Sequence, residues 1–405
     1  MSCCNYNAAP NGVQMNSCPV DTGYGGEVGA CVPSALHYNA SGRATSCACT
    51  EGINCASVKY KRAPPPQALP APVGASPGAL WKAWLSTNNM PSKLRAPPDE
   101  TSAFLASVCA VKLQPDTDTF TMALTNLAAE SDDMFSTRFG FVQLLDDDTP
   151  HLQVHPPPKL RPPPIELDWR MRGAVTSAKN QRRCGSCYVF AAIAVLEGLY
   201  ARQSGELVSL AEQPLVGNGA TCIPFCSGCK GGSAFAVLRA LSKRDGSVFL
   251  EREQPYTATD SAPCKLEGGS INIADLQFGR LDFRDETLED REYKTMQHLA
   301  AFGPIAISVG VPKGGTWKLY AGGLLTPPTT YAENPKVNHV VTLVGYTPTE
   351  WIIKNSWSDR WGDAGFVYVP KGEAWRSAVT LIRVNKQYAN LGPWGMFTAP
   401  LVYAY

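Results

Sequence analysis

Two cysteines and three other polar residues between positions 181 and 355 could form a nucleophilic site. The run Cys184-Gly185-Ser186-Cys187-Tyr188 follows Gln181 closely. Far downstream stand Asn338-His339 and, after a short gap, Asn355-Ser356-Trp357. Cys187 sits where an apolar helical pattern begins. A helix N-terminus and a nearby imidazolium both favour a thiolate over a thiol, so Cys187 is the expected nucleophile. Only His298 and His339 follow Ile165. His298 lies among charged residues of a helical stretch and is expected at the surface. His339 heads an apolar strand and is the expected base. Asn355 ends a second strand, where its side-chain oxygen can orient the imidazole without adding charge. Trp357 and Trp361 can keep water off that bond. Gln181 can donate to a developing oxyanion beside the Cys187 backbone N–H.

These groups need a helix and a sheet to hold them. The periodicity predicts helices over about 186–203, 233–243 and 287–302, with Gly205 closing the first and Gly246 stopping the second. Short apolar runs at 305–309, 340–344, 351–354 and 366–369 read as antiparallel strands. Helices followed by strands indicate an α+β fold.

The remainder of the 405-residue chain divides by composition. Residues 1–60 hold seven of the fourteen cysteines and show little helical or strand periodicity. They read as a disulfide-stapled module, with a metal site disfavoured because His37 is alone and no Cys-x-x-Cys pair occurs. A proline-rich linker covers 61–78. Helical patterns return at Leu80–Leu85 and Phe104–Leu113, and a second proline run spans His155–Pro164. The net charge of +1 argues against a nucleic-acid role. No run is apolar for long enough to span a bilayer, and no signal peptide is visible at Met1-Ser2-Cys3-Cys4.

The Cys184–Tyr188 run fits the known local signature of papain-like peptidases, and the resemblance extends over 162–405. Asp168-Trp169-Arg170, Ser209-Leu210-Ala211-Glu212-Gln213, Cys229-Lys230-Gly231-Gly232, Gly303-Pro304-Ile305, Asn338-His339, Ile353–Trp357, Trp361-Gly362 and Trp394–Thr398 resemble that family's motifs in order. Tyr188 stands where tryptophan is commoner, and Gly217 where the family has Asp. The resemblance implies a two-subdomain fold with a helical domain, a β-barrel-like domain and a cleft between them. It implies Cys187, His339, Asn355 and Gln181 as catalytic residues. It implies disulfides Cys184–Cys229 and Cys222–Cys264, leaving Cys226 unpaired, with a zinc site at Cys222, Cys226 and Cys229 as the alternative. Gly231, Gly232, Asn338 and Trp357 would contact substrate. Ser233, Ala234, Ser308, Val337, Val340 and Ala399 would line a pocket for apolar P2 side chains.

Residues 79–161 resemble the family's inhibitory propeptide and its junction, with Leu80–Leu85 as the first helix and Thr119–Phe135 as its Asn-x-Phe-x-Asp region. This implies a zymogen whose propeptide fills the cleft backwards and is cut near 155–164. The implied function is that of a cysteine endopeptidase without cofactor or metal, monomeric, acting on protein or peptide substrates. Cystatin-type inhibitors are an expected class of partner. The disulfides and zymogen layout suggest a lysosomal, vacuolar or secreted enzyme. Two alternatives stay open: a transpeptidase or acyltransferase, and a non-catalytic binding protein on the same scaffold.

Overall fold

The computed structural model describes the backbone of five N-terminal strands within 5–56, and residues 76–88, 98–114, 119–142, 160–217, 223–372, 393–397 and 401–404, apart from 245, 274–275, 282, 284–285 and 328–335. The predicted Cys222 and Ala399, most of the 61–78 linker and residues 151–159 of the proline-rich junction lie outside them. The N-terminal strands pair in sequence order as an antiparallel sheet. That differs from the expectation of little strand content: a meander needs only neighbouring segments to pair, and these lack a clean two-residue alternation to announce it.

The helical lobe is built on α4, Cys187–Ser204. Its residues Tyr188 through Leu199 are all buried, as expected of a helix apolar on every side. Gly205 closes it in the left-handed region, φ 77°, with its N–H on the Ala201 carbonyl. Helix α5, Ala234–Ser242, packs against it. Helix α6, Leu288–Phe302, starts at a reciprocal cap between Thr287 and Asp290.

The other lobe is an antiparallel sheet. Its strands run in the order Phe278–Leu281, Leu401–Ala404, Ile305–Val309, His339–Tyr346, Glu350–Lys354, Phe366–Pro370, with Leu167–Asp168 added beside His339–Tyr346. The strand His339–Tyr346 is buried throughout. Val340 packs into the α4 cluster, while Val341 and Leu343 join a core containing Trp317, Trp357, Trp361 and Trp394. Both faces of this strand are therefore covered, so His339 starts from a fixed backbone.

Three further helices, α1 (Pro77–Thr87), α2 (Pro98–Lys112) and the short α3 (Asp132–Ser136), belong to the prosegment region. Leu80, Trp84, Phe104 and Val108 form a separate cluster with Leu124, Ala128 and, from the sheet lobe, Leu319. The strand Phe120–Met122 pairs antiparallel with Tyr320–Gly323. One expectation fails here. His298 is buried, 6% exposed, with its ring against Phe302 and Tyr403. Its position on the helix places it on the inward stripe with Glu292, Thr295, Leu299 and Phe302, whatever the charge of its sequence neighbours.

Candidate active site

Cys187 is the first residue of α4, so the positive end of the helix lies at its thiol. The Cys184–Cys229 disulfide, formed as the resemblance implied, ties the preceding loop to the Gly228–Lys230 turn. Gly185 has no room for a side chain: a Cβ there would meet the Cys229 carbonyl oxygen at 2.6 Å. Cys264 is disulfide-bonded, while its expected partner Cys222 lies outside the described residues. A Cβ on Gly217 would lie 2.3 Å from the Cys264 amide nitrogen, which excludes the family's aspartate at that position. Cys226 is a buried free thiol. No metal-binding cluster occurs among the described residues.

His339 opens its strand opposite Val309. Its Nε2 lies 2.9 Å from Asn355 Oδ1, which also accepts from the Ser356 N–H at 2.8 Å. The Trp357 ring stacks on the imidazole at 4.8 Å, and Trp361 meets Trp357 edge-on at 5.0 Å. The expected screen over the His339–Asn355 bond is thus present. Nδ1 of His339 is buried without a hydrogen-bond partner. The thiol of Cys187 engages the backbone at Val340, next to His339, and at Gly140 of the prosegment. The sulfur is therefore placed beside the start of the strand that His339 opens, where the helical and sheet lobes touch.

Gln181 is fully buried. Its Oε1 accepts from Ser356 Oγ at 2.5 Å, which leaves Nε2 as the donor end. Nε2 donates to the Cys184 carbonyl at 2.8 Å and to the Arg138 carbonyl at 2.7 Å. A prosegment carbonyl thus occupies the position expected for an oxyanion ligand. Sequence reasoning missed Ser356 as the group that sets the amide's orientation.

The prosegment continues across the site. Gly232 donates its N–H to the Gly140 carbonyl at 2.8 Å and accepts from Val142 N–H at 2.9 Å, in a parallel bridge with Phe141. A Cβ on Gly140 would lie 1.8 Å from the Gly185 carbonyl oxygen, so only glycine permits this crossing. Arg138 is anchored by a buried bidentate pair with Glu130, at 3.0 and 2.6 Å, and by the Arg182 carbonyl at 2.7 Å. These prosegment residues were not singled out from sequence. Phe139-Gly140-Phe141, a glycine between two aromatics, was the available signal.

The predicted substrate-contact residues separate into groups. Gly231 (φ 116°) and Gly232 face the prosegment backbone. Asn338 presents its carbonyl, which accepts from Phe141 N–H at 3.1 Å; its side chain is bonded to both backbone groups of Val311. Trp357 is buried beneath Phe135, and its carbonyl accepts from Asn126 at 3.1 Å. Ser233, Ala234, Ser308 and Val340 are buried, and Val337 is half-buried.

Burial governs the site's electrostatics. It pushes the Cys187 thiol up to about 11, against backbone hydrogen bonds at Val340 and Gly140. It pulls His339 down to about 4, against the bond to Asn355. With the prosegment in place the neutral thiol and imidazole are favoured, and the expected ion pair is not.

Behind the site lies an ionic cluster that sequence reasoning did not identify as a unit. Lys179 Nζ is 3.0 Å from Glu197 and 2.8 Å from Glu212, and Lys354 Nζ is 3.6 Å from Glu197. Burial opposes ionisation of Glu197, but Lys179 and Lys354 hold its carboxyl below the usual range. Glu197 is on α4 and Lys354 precedes Asn355, so the cluster joins the two lobes.

Residues 163–385 match the papain family cysteine protease profile. Cysteine proteinase A of Leishmania mexicana is 35% identical over 215 residues, covering 51% of this chain and 55% of the relative. Cathepsin L1 of Drosophila melanogaster is 34% identical over 215 residues, covering 50% and 53%. The chain therefore spans just over half the length of these curated relatives. Among solved structures, digestive procathepsin L 3 of Tenebrio molitor superposes with a TM-score of 0.62 at 23% identity, over 82% of this chain and 99% of that one. A recombinant stem bromelain precursor gives 0.59 at 24% identity, over 81% and 99%. The fold is thus the papain-like α+β fold in its precursor arrangement, and the chain belongs to the papain family of cysteine proteases.

Proposed function

We propose that the chain is a cysteine endopeptidase held as a zymogen by residues 79–161. The observation that carries this reading is the Arg138 carbonyl on Gln181 Nε2, with Phe139–Val142 laid across Cys187 and bonded to Gly232. A peptide therefore already occupies the cleft with a carbonyl at the oxyanion donor. Its bridge to Gly232 is parallel, and we take a substrate to run the opposite way. Removal of the segment rehydrates Cys187 and His339, which lowers the cost of the charged pair.

The Cys187 thiolate then attacks the scissile carbonyl carbon, forming a C–S bond and an oxyanion held by Gln181 and the Cys187 N–H. His339 gives its proton to the departing amine as the C–N bond breaks. Water attacks the thioester carbon while His339 takes its proton, and the C–S bond then breaks to release the free acid and restore the Cys187 thiolate beside the His339 imidazolium. Asn355 keeps the ring aligned throughout.

Small or apolar Ser233, Ala234, Ser308, Val337 and Val340 support a preference for apolar P2 side chains. Phe141 of the prosegment already packs on the cluster containing Ala234 and Val340. Cleavage near 155–164, a monomeric state, inhibition by cystatin-type proteins and a lysosomal, vacuolar or secreted location complete the proposal. The Cys184–Cys229 disulfide supports an oxidising route.

The test is acid incubation followed by N-terminal sequencing and assay on fluorogenic Phe-Arg and Leu-Arg peptides. Processing, hydrolysis and labelling by an epoxide thiol inhibitor are expected in the parent and absent in Cys187→Ala. Hydrolysis that survives Cys187→Ala overturns the assignment.

A further inference from the structure

We propose that Glu212 is a positioning residue for the reaction, acting on Asn355 through one water held in a cavity behind the site. The proposal rests on the peptidase reading above for its kinetic consequence, but the water itself is a property of the resting fold.

A cavity of about 20 Å³ lies between α4 and the strands carrying His339 and Asn355. One water needs on the order of 10–15 Å³ by this measure. Its lining combines apolar Phe190, Ala191 and Ala194 with Glu212, Lys354 and Asn355. Two of its polar residues carry buried atoms without a hydrogen-bond partner: Nδ2 of Asn355 and Oε2 of Glu212. Asn355 is 2% exposed and Glu212 1%. Nδ2 is a donor. Burial pushes the Glu212 carboxyl up to about 8, against the Lys179 ammonium at 2.8 Å, which favours the ionised form in which Oε2 is an acceptor. A single water accepting from the amide and donating to the carboxylate completes both.

The rest of each side chain is already committed. Asn355 Oδ1 serves His339 and the Ser356 N–H, and Glu212 Oε1 accepts from Lys179 at 2.8 Å. Lys179 is held in turn by Glu197 and the Leu210 carbonyl. Each end of the water bridge is therefore fixed by other bonds. The bridge completes the set around Asn355, and a fully satisfied buried network rigidifies its members. Asn355 in turn sets the imidazole plane, so loss of the bridge lets the ring drift from the attack geometry. A displacement of about 1 Å can cost up to about a hundredfold in rate.

A crystal structure of the full-length Cys187→Ala chain, sharp enough to show ordered water, tests the ground state. Density within hydrogen-bonding distance of both Asn355 Nδ2 and Glu212 Oε2 is expected, and its absence overturns the proposal whatever the enzyme does. Kinetics test the role. Glu212→Gln in the processed enzyme should lower kcat by about tenfold to a hundredfold, with KM unchanged. In an Asn355→Ala background the same change should have no further effect, because the route through Asn355 is gone. Additive losses would mark a merely structural residue and overturn the role. If Glu212→Gln does not fold, Ala194→Val fills the cavity without touching the ions. It should show the same coupled loss, and an uncoupled loss overturns the role. A parent chain that neither hydrolyses peptides nor is alkylated at Cys187 instead refutes the peptidase reading and leaves the water result standing.

Discussion

The prosegment and the enzyme domain bury very different amounts of apolar surface. The enzyme domain has two large clusters that share α4 and the central strands. The prosegment has one small cluster around Leu80, Trp84 and Phe104, to which the enzyme contributes Leu319. Its remaining hold is mixed: Leu127 and Phe135 enter the enzyme's Trp357 core and Phe141 packs on the α4 cluster, beside the strand pairing at Phe120–Met122, the buried Glu130–Arg138 pair and the backbone bonds at Gly232. Polar contacts contribute modestly each and respond to pH and salt. In the proposed zymogen, the polar part of this hold is what can weaken first while the larger clusters stay folded.

Removal of Trp84 should expose that difference most strongly. The Trp84 ring packs with Trp81 and Phe104, and its Nε1 donates to the Thr125 carbonyl at 2.6 Å. Trp84→Ala should cost the prosegment about 3–5 kcal/mol. The unprocessed chain should then react at Cys187 with a small alkylating agent, while the enzyme domain keeps its melting temperature. A matching fall in both melting transitions would mean that the two regions are one cooperative unit.

Acid is the next largest lever, and its sign follows from His339. Closure depresses the imidazole to about 4 from an ordinary 6.5. The open form therefore binds more protons between those values, and the closed form loses stability as pH falls through that window. The loss is on the order of 3 kcal/mol. Prosegment unfolding in the full-length Cys187→Ala chain, followed by hydrogen exchange from pH 7 to 4, should show it. His339→Gln should flatten this part of the dependence, and an unchanged curve would assign acid opening to the carboxylates alone.

Gly140→Ala tests the crossing itself. The added methyl would collide with the Gly185 carbonyl, and overpacking of this kind costs about 1–3 kcal/mol. Faster alkylation of Cys187 at pH 7 is expected, with the helical lobe unaffected. An unchanged rate would mean that the segment is held above the cleft by its distant cluster alone.

The enzyme domain was far more legible in the sequence than its cover. Cys187, Asn355 and His339 are each placed by the start or end of a strongly apolar element, and such boundaries are set by local residue choice. The strand at 305–309 and the helix closed by Gly205 follow for the same reason. His298 was misread because charge density along the sequence was weighed over helical phase, which puts it with Thr295, Leu299 and Phe302 on the buried stripe. The Lys179–Glu197–Glu212–Lys354 cluster and the Glu130–Arg138 pair were invisible as units. The first is assembled from segments whose closeness only the tertiary fold creates; the second spans eight residues around the short helix Asp132–Ser136, but a lone buried Glu looks in sequence like any surface Glu. Gln181 was legible as a donor, but the carbonyl it meets comes from Arg138, which no spacing rule connects to it.

The smallest effect separates buried from exposed charge within the prosegment contact. Arg183 follows Gln181 by two residues, and its half-exposed guanidinium reaches Glu100 of α2 at 3.3 Å and Glu130 at 3.5 Å. Water screens both contacts, so Arg183→Ala should weaken prosegment docking by no more than about 1 kcal/mol. Added salt should shrink even that, since the Arg183 guanidinium is half-exposed to solvent. Arg138→Ala, by contrast, strands the buried Glu130 carboxylate and should cost several-fold more, about 3–5 kcal/mol, with little response to salt. Inhibition constants of the separately added prosegment peptide, measured for the two substitutions at low and high salt, give the ratio. Equal losses would show that the Glu130–Arg138 pair is solvated in the working zymogen, and that the clamp over Gln181 is looser than its two short bonds imply.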